Sequence, residues 1–285
     1  MTELTLATRG SKLALAQSGL VADAITKTFP DVTVRLVTVE TTGDRDRSTD
    51  LTALTELGTF VRAVQSAVLD GRADLAVHSA KDLPVVGPSA LIGFHPRRAD
   101  AADALIGESL EDLPVGATVG TGSPRRSAQL QALRKDLEVV PIRGNIETRI
   151  SLIGGNAVDA VVLAVAGLER AGLSQHVAYR FSPREMVPAP GQGALTIETR
   201  PGTLAAEIAA NLEDEDTRAA VDAERSLLEI TGAGCRSALG AFARVEGERL
   251  VMDAFVADER GPRRTTVEGI DTRDVAEAAK KELGL

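Results

Sequence analysis

From Leu4 to Ala164 the chain alternates short β-type runs with stretches of helical spacing, and this alternation restricts its fold more than any other feature. Leu4–Ala7 is apolar, and Ser11 stands where an N-cap would open a helix reaching about Lys27. Val32–Val39 alternates as a strand should, Phe60–Leu69 has helical spacing, and Ala73–Val77 is a further short strand. The order repeats beyond Arg98: strand Thr118–Gly120, helix Pro124–Arg134, strand Val139–Ile142, helix Asn145–Ile153, strand Asp159–Ala164. Such alternation implies α/β domains with mostly parallel sheets.

Three segments read as joints: His95–Asp100, the proline- and glycine-rich Ser182–Gly193, and the acidic Asn211–Arg218. Behind the last come a helix at Ala219–Ile230 and β-like runs at Leu239–Val245, Leu250–Val256 and Thr265–Glu268. A terminal helix from about Asp274 then completes a small α+β tail. Gly43–Leu57 is polar and aperiodic and reads as a mobile lid.

Composition closes several routes. A single cysteine excludes an internal disulfide and any multi-cysteine metal site, and three scattered histidines give no zinc spacing, so no metal is expected. The longest apolar run, Ala160–Gly167, is too short to span a bilayer, and no signal-peptide pattern follows Met1, so a cytoplasmic protein without membrane contact is expected. Net charge is −9 and the only aromatics are six Phe and one Tyr, which disfavours nucleic acid as a partner. Within that acidic chain, Thr121–Arg149 carries six basic residues against three acidic ones. Guanidinium forks suit planar carboxylates and phosphates, so this excess points to a small anionic ligand.

Gly120-Thr-Gly-Ser-Pro-Arg-Arg lies between a strand and a helix, where backbone N–H groups converge on anions. It lacks the third glycine of a dinucleotide fingerprint, having Arg125 there. Arg9-Gly-Ser11 repeats the combination of strand end, arginine and hydroxyl, and Arg143 and Arg149 flank another helix start. Ordinary capped turns with solvated arginines would look the same. Lys81 and Asp82 follow the strand ending near Val77, at the carboxyl end where α/β sheets gather their ligands; a plain Lys-Asp turn before proline is the other reading. Cys235, in Thr231-Gly-Ala-Gly-Cys-Arg, is either a small buried hydrophobe or an exposed thiol made acidic by its loop and Arg236.

Seven motifs in order resemble the hydroxymethylbilane synthase (porphobilinogen deaminase) family. They are Ala7-Thr-Arg-Gly-Ser-x-Leu-Ala-x-x-Gln, Ala76-Val-His-Ser-x-Lys-Asp-Leu-Pro, Gly120-Thr-x-Ser-x-Arg-Arg, Arg143-Gly-Asn-x-x-Thr-Arg, Leu163-Ala-x-Ala-Gly-Leu, Pro190-Gly-Gln-Gly-Ala and Gly234-Cys. The resemblance implies a transferase of haem biosynthesis that joins four porphobilinogen molecules head to tail, releases ammonia at each step and hydrolyses the chain to hydroxymethylbilane. It implies a dipyrromethane cofactor in thioether linkage to Cys235, which explains a lone cysteine without a histidine partner. Asp82 matches the family's catalytic aspartate, whose carboxylate would stabilise the positive charge of an azafulvene intermediate. Lys81, Arg9 and Arg143 join it in the chemistry. Ser79, Lys81, Asp82, Thr121, Ser123, Arg125, Arg126 and Arg149 would hold the cofactor; Arg9, Ser11, Phe60, Arg143, Arg149, Arg170 and Gln192 the substrate.

The implied fold is α/β: two periplasmic-binding-protein-like domains with a cleft between them and a small C-terminal α+β domain. Its implied boundaries are 1–96 with 193–211, 97–192, and 212–285, and a monomer is expected. Thr55-Glu-Leu-Gly-Thr-Phe departs from the Gly- and Lys-rich stretch that many relatives have there, so a basic role for that loop is in doubt. A two-lobed solute-binding module would explain the arginines but not Asp82 with Cys235. A dinucleotide-dependent oxidoreductase rests only on Gly120-x-Gly after a strand.

Overall fold

The structure, a computed structural model, describes residues 1–39, 53–155, 157–233 and 237–285, with the backbone alone for 53–60. Cys235 and most of the expected lid therefore lie outside the described residues, as does the side chain of Phe60. In chain order the first elements are β1 (Thr2–Thr8), α1 (Lys12–Thr28), β2 (Val32–Thr38), α2 (Ala53–Leu69), β3 (Leu75–Ser79) and β4 (Ile92–Phe94). Then come β5 (Asp103–Ile106), β6 (Thr118–Gly120), α3 (Pro124–Leu133), β7 (Glu138–Val140), α4 (Ile146–Ile150), β8 (Ala160–Ala164), α5 (Val165–Arg170) and β9 (Val177–Arg180). Last are β10 (Leu195–Thr199), α6 (Leu204–Ala210), α7 (Glu215–Thr231), β11 (Ala238–Glu246), β12 (Arg249–Asp258), β13 (Gly261–Gly269) and α8 (Thr272–Leu283).

The chain forms two compact units, Met1–Arg98 with Ala194–Arg218, and Ala99–Gly193 with Ala219–Leu285. The first holds a five-stranded sheet ordered β2-β1-β3-β10-β4. β1 is parallel to β2 and β3, while β10 is antiparallel to both β3 and β4. Leu6, Ile25, Leu75, Ile197 and Ala209 pack as the core between this sheet and helices α1 and α6. Val64, Val68 and Ala76 belong to a second cluster under α2.

The second unit contains a sheet ordered β7-β6-β8-β5-β9. Here β6 is parallel to β7 and β8, and β5 antiparallel to β8 and β9. Its two faces carry separate cores, one around Leu105, Val119, Leu130 and Phe181, the other around Ile106, Val161 and Leu168. The same unit includes an antiparallel β11-β12-β13 sheet, whose core with α7 and α8 includes Leu227, Met252, Val275 and Leu283.

Both five-stranded sheets are thus mixed: four strands run one way, and one, β10 or β5, runs against them. In each, the antiparallel strand is the first one after the chain passes between units: β10 after 193/194 and β5 after 98/99. A strand entering this way need not follow the right-handed crossover that makes a βαβ neighbour parallel. Ala99 N–H donates to Gly193 O, and Gly193 has φ 87°; a Cβ there would lie 2.6 Å from Ala99 O, so only glycine fits. Helix α2 begins at Ala53, seven residues before its expected start and inside the segment read as a lid. The spacing Leu54, Leu57, Val61, Val64, Val68 carries the helical stripe back that far.

Candidate active site

In the first unit the predicted residues sit at the carboxyl ends of two neighbouring parallel strands, β1 and β3, registered Ala7 against Ala76. Ser11 caps α1, its hydroxyl accepting from Ala14 N at 3.3 Å, so the Arg9–Ser11 turn is built by helix capping. Thr8, 1% exposed, fastens that turn from below: its hydroxyl donates to Ala14 O and accepts from Ser18 Oγ at 2.7 Å. β3 runs into a single 3-10 turn, Ala80–Asp82, placing Lys81 and Asp82 half-buried one after the other. Gln17 Nε2 donates to Ser79 Oγ at 2.9 Å and ties the two turns together. Arg9, Ser11, Ser79, Lys81 and Asp82 therefore share one end of one sheet.

Behind them is an acid that the sequence analysis did not single out. Glu198 on β10 is buried, its carboxylate receiving Gln65 Nε2 at 3.0 and 2.9 Å and lying 3.1 Å from His78 Nε2.

The second unit repeats the arrangement. Thr121 and Ser123 follow β6, Arg143 and Arg149 follow β7, and Arg170 lies on the helix that follows β8. Ser123 caps α3 with Pro124 in its first turn, and Asn145 caps α4 by accepting from Thr148 N at 2.8 Å. Arg143 is exposed. Arg149 is half-buried and donates from Nε to Gly144 O at 2.8 Å; burial lowers its guanidinium pKa, and the charge of Arg126 lowers it further. Arg170 Nη2 donates to Gly193 O at 2.6 Å, and burial lowers its pKa against the opposing pull of Glu169.

Arg125 and Arg126 are not solvated. Both reach back from α3 onto Asp103, the first residue of β5, which is fully buried. Arg126 donates from Nε and Nη2 to Asp103 Oδ1 at 3.0 and 2.6 Å, and from Nη1 to Val162 O at 2.9 Å. Arg125 Nη2 approaches Asp103 Oδ2 to 2.8 Å, an ion contact without hydrogen-bond alignment, while its Nη1 donates to Val187 O at 2.6 Å. Gln192, also fully buried, donates to Ala101 O at 2.7 Å and to Asp103 Oδ1 at 2.9 Å. Burial alone would raise the Asp103 pKa; the fields of Arg125 and Arg126 and the donated hydrogen bonds outweigh it and hold the carboxyl well below its usual range. Asp103 was missed because a short apolar run hid it, yet an acid inside Ala102-Asp-Ala-Leu-Ile had to find a cation or protonate.

The same network reaches the tail. Gln129 receives Val187 N–H at 2.8 Å and donates to Val187 O at 3.0 Å. Gly240 of β11 passes so close that a Cβ would meet Val187 O at 2.9 Å, and Ala241 N–H donates to Pro188 O. Glu224 of α7 accepts from Gly191 N at 2.6 Å and from Ala243 N at 2.8 Å. These contacts seat α7 and β11, the elements on either side of Cys235, against the Val187–Gly191 segment.

Two family models match the chain: "Porphobilinogen deaminase, dipyromethane cofactor binding domain" over residues 4–207, and "Porphobilinogen deaminase, C-terminal domain" over 218–285. Among curated relatives, the porphobilinogen deaminase of Acidothermus cellulolyticus is 45% identical over 92% of this chain and 81% of its own length. That of Mycolicibacterium gilvum is 43% identical over 99% and 93%, and that of Thermus thermophilus 42% identical over 100% and 94%. Among solved structures, the methionine binding protein MetQ covers 74% of this chain and 89% of its own at 12% identity, with a TM-score of 0.45. No helix among the described residues is long and apolar enough to cross a membrane.

Proposed function

This chain belongs to the porphobilinogen deaminase family, and we propose that the residues at the carboxyl ends of its two mixed sheets divide the family's reaction between them. The chain is a transferase that condenses four porphobilinogen molecules stepwise on a covalent dipyrromethane, releasing ammonia, and hydrolyses the product to hydroxymethylbilane for tetrapyrrole biosynthesis. The observation that carries the assignment of roles is the charge count around Asp103. Two guanidiniums meet one carboxylate where water scarcely reaches, leaving a positive excess suited to the acetate and propionate groups of pyrroles.

The dipyrromethane, when bound, supplies the pyrrole end to which substrate units are added. The roles of this chain's own residues follow. Cys235, as a thiolate, anchors it, and the seating of α7 and β11 on the Val187–Gly191 segment supports a fixed position for that anchor. Thr121, Ser123, Arg125, Arg126 and Arg149, with Ser79 and Lys81, hold its carboxylates. Arg9, Ser11, Arg143 and Arg170, with Phe60, receive and orient substrate, and the buried Gln192 acts on it through Asp103 and its arginines. Asp82, half-buried on its 3-10 turn, stabilises positive charge as ammonia leaves.

The three-domain division at 1–96 with 193–211, 97–192 and 212–285 is supported by the separate core of α7, β11–β13 and α8. We also take the chain to act as a cytoplasmic monomer without nucleic acid; its net charge of −9 and scarcity of aromatics support the last of these.

The test is intact mass of the full chain, made without cofactor and then incubated with porphobilinogen. Wild type gains two pyrrole units and turns over. Cys235→Ala gains none and is inactive; Asp82→Asn gains the adduct but loses most turnover. A fully active Cys235→Ala protein overturns the anchoring role, and an Asp82→Asn protein at wild-type rate overturns the catalytic one.

A further inference from the structure

Asp103, Arg125 and Arg126 are 0%, 3% and 6% exposed, so their charges are neutralised by one another and hardly at all by water. The remaining partners of the cluster, Gln192 and the carbonyls of Val162 and Val187, carry no charge. The balance within the cluster is two positive charges against one negative, and the half-buried Arg149, which feels the charge of Arg126, adds to the positive side. The carboxylate also dictates geometry. Arg126 spends Nε and Nη2 on Oδ1, which fixes the plane of its fork, and Arg125 is held between Oδ2 and Val187 O.

We propose that Asp103 is a positioning residue that acts as a built-in counter-ion: it orients both arginines and limits the pair to a single further carboxylate. This rests on the reading above, in which Arg125 and Arg126 hold cofactor carboxylates. With the counter-ion in place the pair lacks one negative charge, and one ligand carboxylate completes it. Without it the pair lacks two, and any small anion that fits lowers the energy of the cluster. Adventitious anions then compete with the cofactor, and guanidiniums that repel one another lose their shared plane. Asp103 thus contributes selectivity as well as orientation, and does so through the two arginines it touches.

The test uses the full-length apoprotein, wild type and Asp103→Asn, with formate as the probe anion and chloride at equal ionic strength as control. Asparagine keeps the shape and removes the charge. The melting temperature of Asp103→Asn is expected to rise with formate concentration more steeply than that of wild type, because the variant's pair lacks two negative charges and the wild-type pair one. Mass gain with porphobilinogen is expected to slow about tenfold or more in the variant, and to slow further when formate is added. Where Asp103→Asn does not fold in chloride, recovery of folding in formate is the same readout. A folded variant that responds to formate no more than wild type, or an unfolded one that formate does not recover, overturns the proposal, as does one that gains mass at the wild-type rate. A wild-type apoprotein that gains no mass overturns the assigned cofactor roles instead, and the formate titration still decides the counter-ion claim.

Discussion

Each unit places a buried acid on the one strand of its sheet that runs against the others, and the two acids are satisfied in opposite ways. Glu198 lies on β10, inserted between β3 and β4; Asp103 lies on β5, inserted between β8 and β9. Each strand is antiparallel to both neighbours, and each is the first strand after a passage between units. Glu198 is met by an amide and an imidazole, Gln65 and His78. Asp103 is met by two guanidiniums that cannot deprotonate near neutrality. The first solution satisfies a buried carboxylate with the hydrogen bonds of an amide and the approach of an imidazole. The second overshoots, and only the second makes sense as part of something that must receive another anion. An acid on the antiparallel strand of one architecture can therefore be spent on scaffold in one unit and on ligand charge in the other.

The sharpest way to break this comparison is to remove one partner from each acid. Arg126→Leu strips Asp103 Oδ1 of two charge-assisted hydrogen bonds and should cost about 3 kcal/mol of apoprotein stability. Its adduct yield should also fall sharply, since a proposed cofactor contact goes with it. Gln65→Leu leaves Glu198 with His78 and should cost about 1–2 kcal/mol, with adduct yield unchanged in whatever protein folds. Denaturant midpoints and intact masses read both effects. Equal losses in stability and in adduct would mean that the two acids play the same role.

Acid titration gives a smaller effect with a definite sign. The folded pKa of Asp103 is depressed below the ordinary value of 3.8. Its contribution is therefore fully present above the unfolded value and is lost as pH falls from there through the folded one. The stability gap between wild type and Asp103→Asn, both folded in the same buffer, should shrink by about 1 kcal/mol between pH 7 and pH 3. A gap that stays constant over that range would show that the aspartate contributes shape and not charge.

What could be read from sequence tracks how local the cause is. Helix α1 with its Ser11 cap, and α3 with Ser123 and Pro124, are set by residues within a turn of each other, and both stand where spacing and capping place them. The site turns were legible because motif and strand end coincide. β5 and β10 were not. They are short, buried on both faces and antiparallel because of where the chain comes from, which no local pattern encodes. Asp103 was hidden for the same reason: its partners lie 22 and 23 positions away and meet it only once β5 has joined β8. Gln192 was expected to handle substrate, but its involvement with Ala101 and Asp103 is equally long-range and could not be inferred from its glycine-rich surroundings.

The smallest effect sharpens the comparison at its edges, where the two units are most alike. Ser11 and Ser123 both cap the helix that follows a parallel strand, accepting from Ala14 N at 3.3 Å and from Arg126 N at 3.5 Å. Replacing either by alanine removes one cap and should cost about 1 kcal/mol, so stability alone cannot separate them. Their consequences diverge because of what each cap holds. Ser123 sets the first turn of α3, from which Arg125 and Arg126 depart, so Ser123→Ala should lower the fraction of protein carrying the adduct by a few fold. Ser11 sets the turn that carries Arg9, so Ser11→Ala should leave that fraction intact and raise the KM for porphobilinogen with kcat nearly unchanged. Mass spectra and steady-state kinetics on the same preparations separate the outcomes. A lowered adduct fraction in Ser11→Ala, matching Ser123→Ala, would erase the division of labour between the units, because two equivalent caps would then serve one indivisible task.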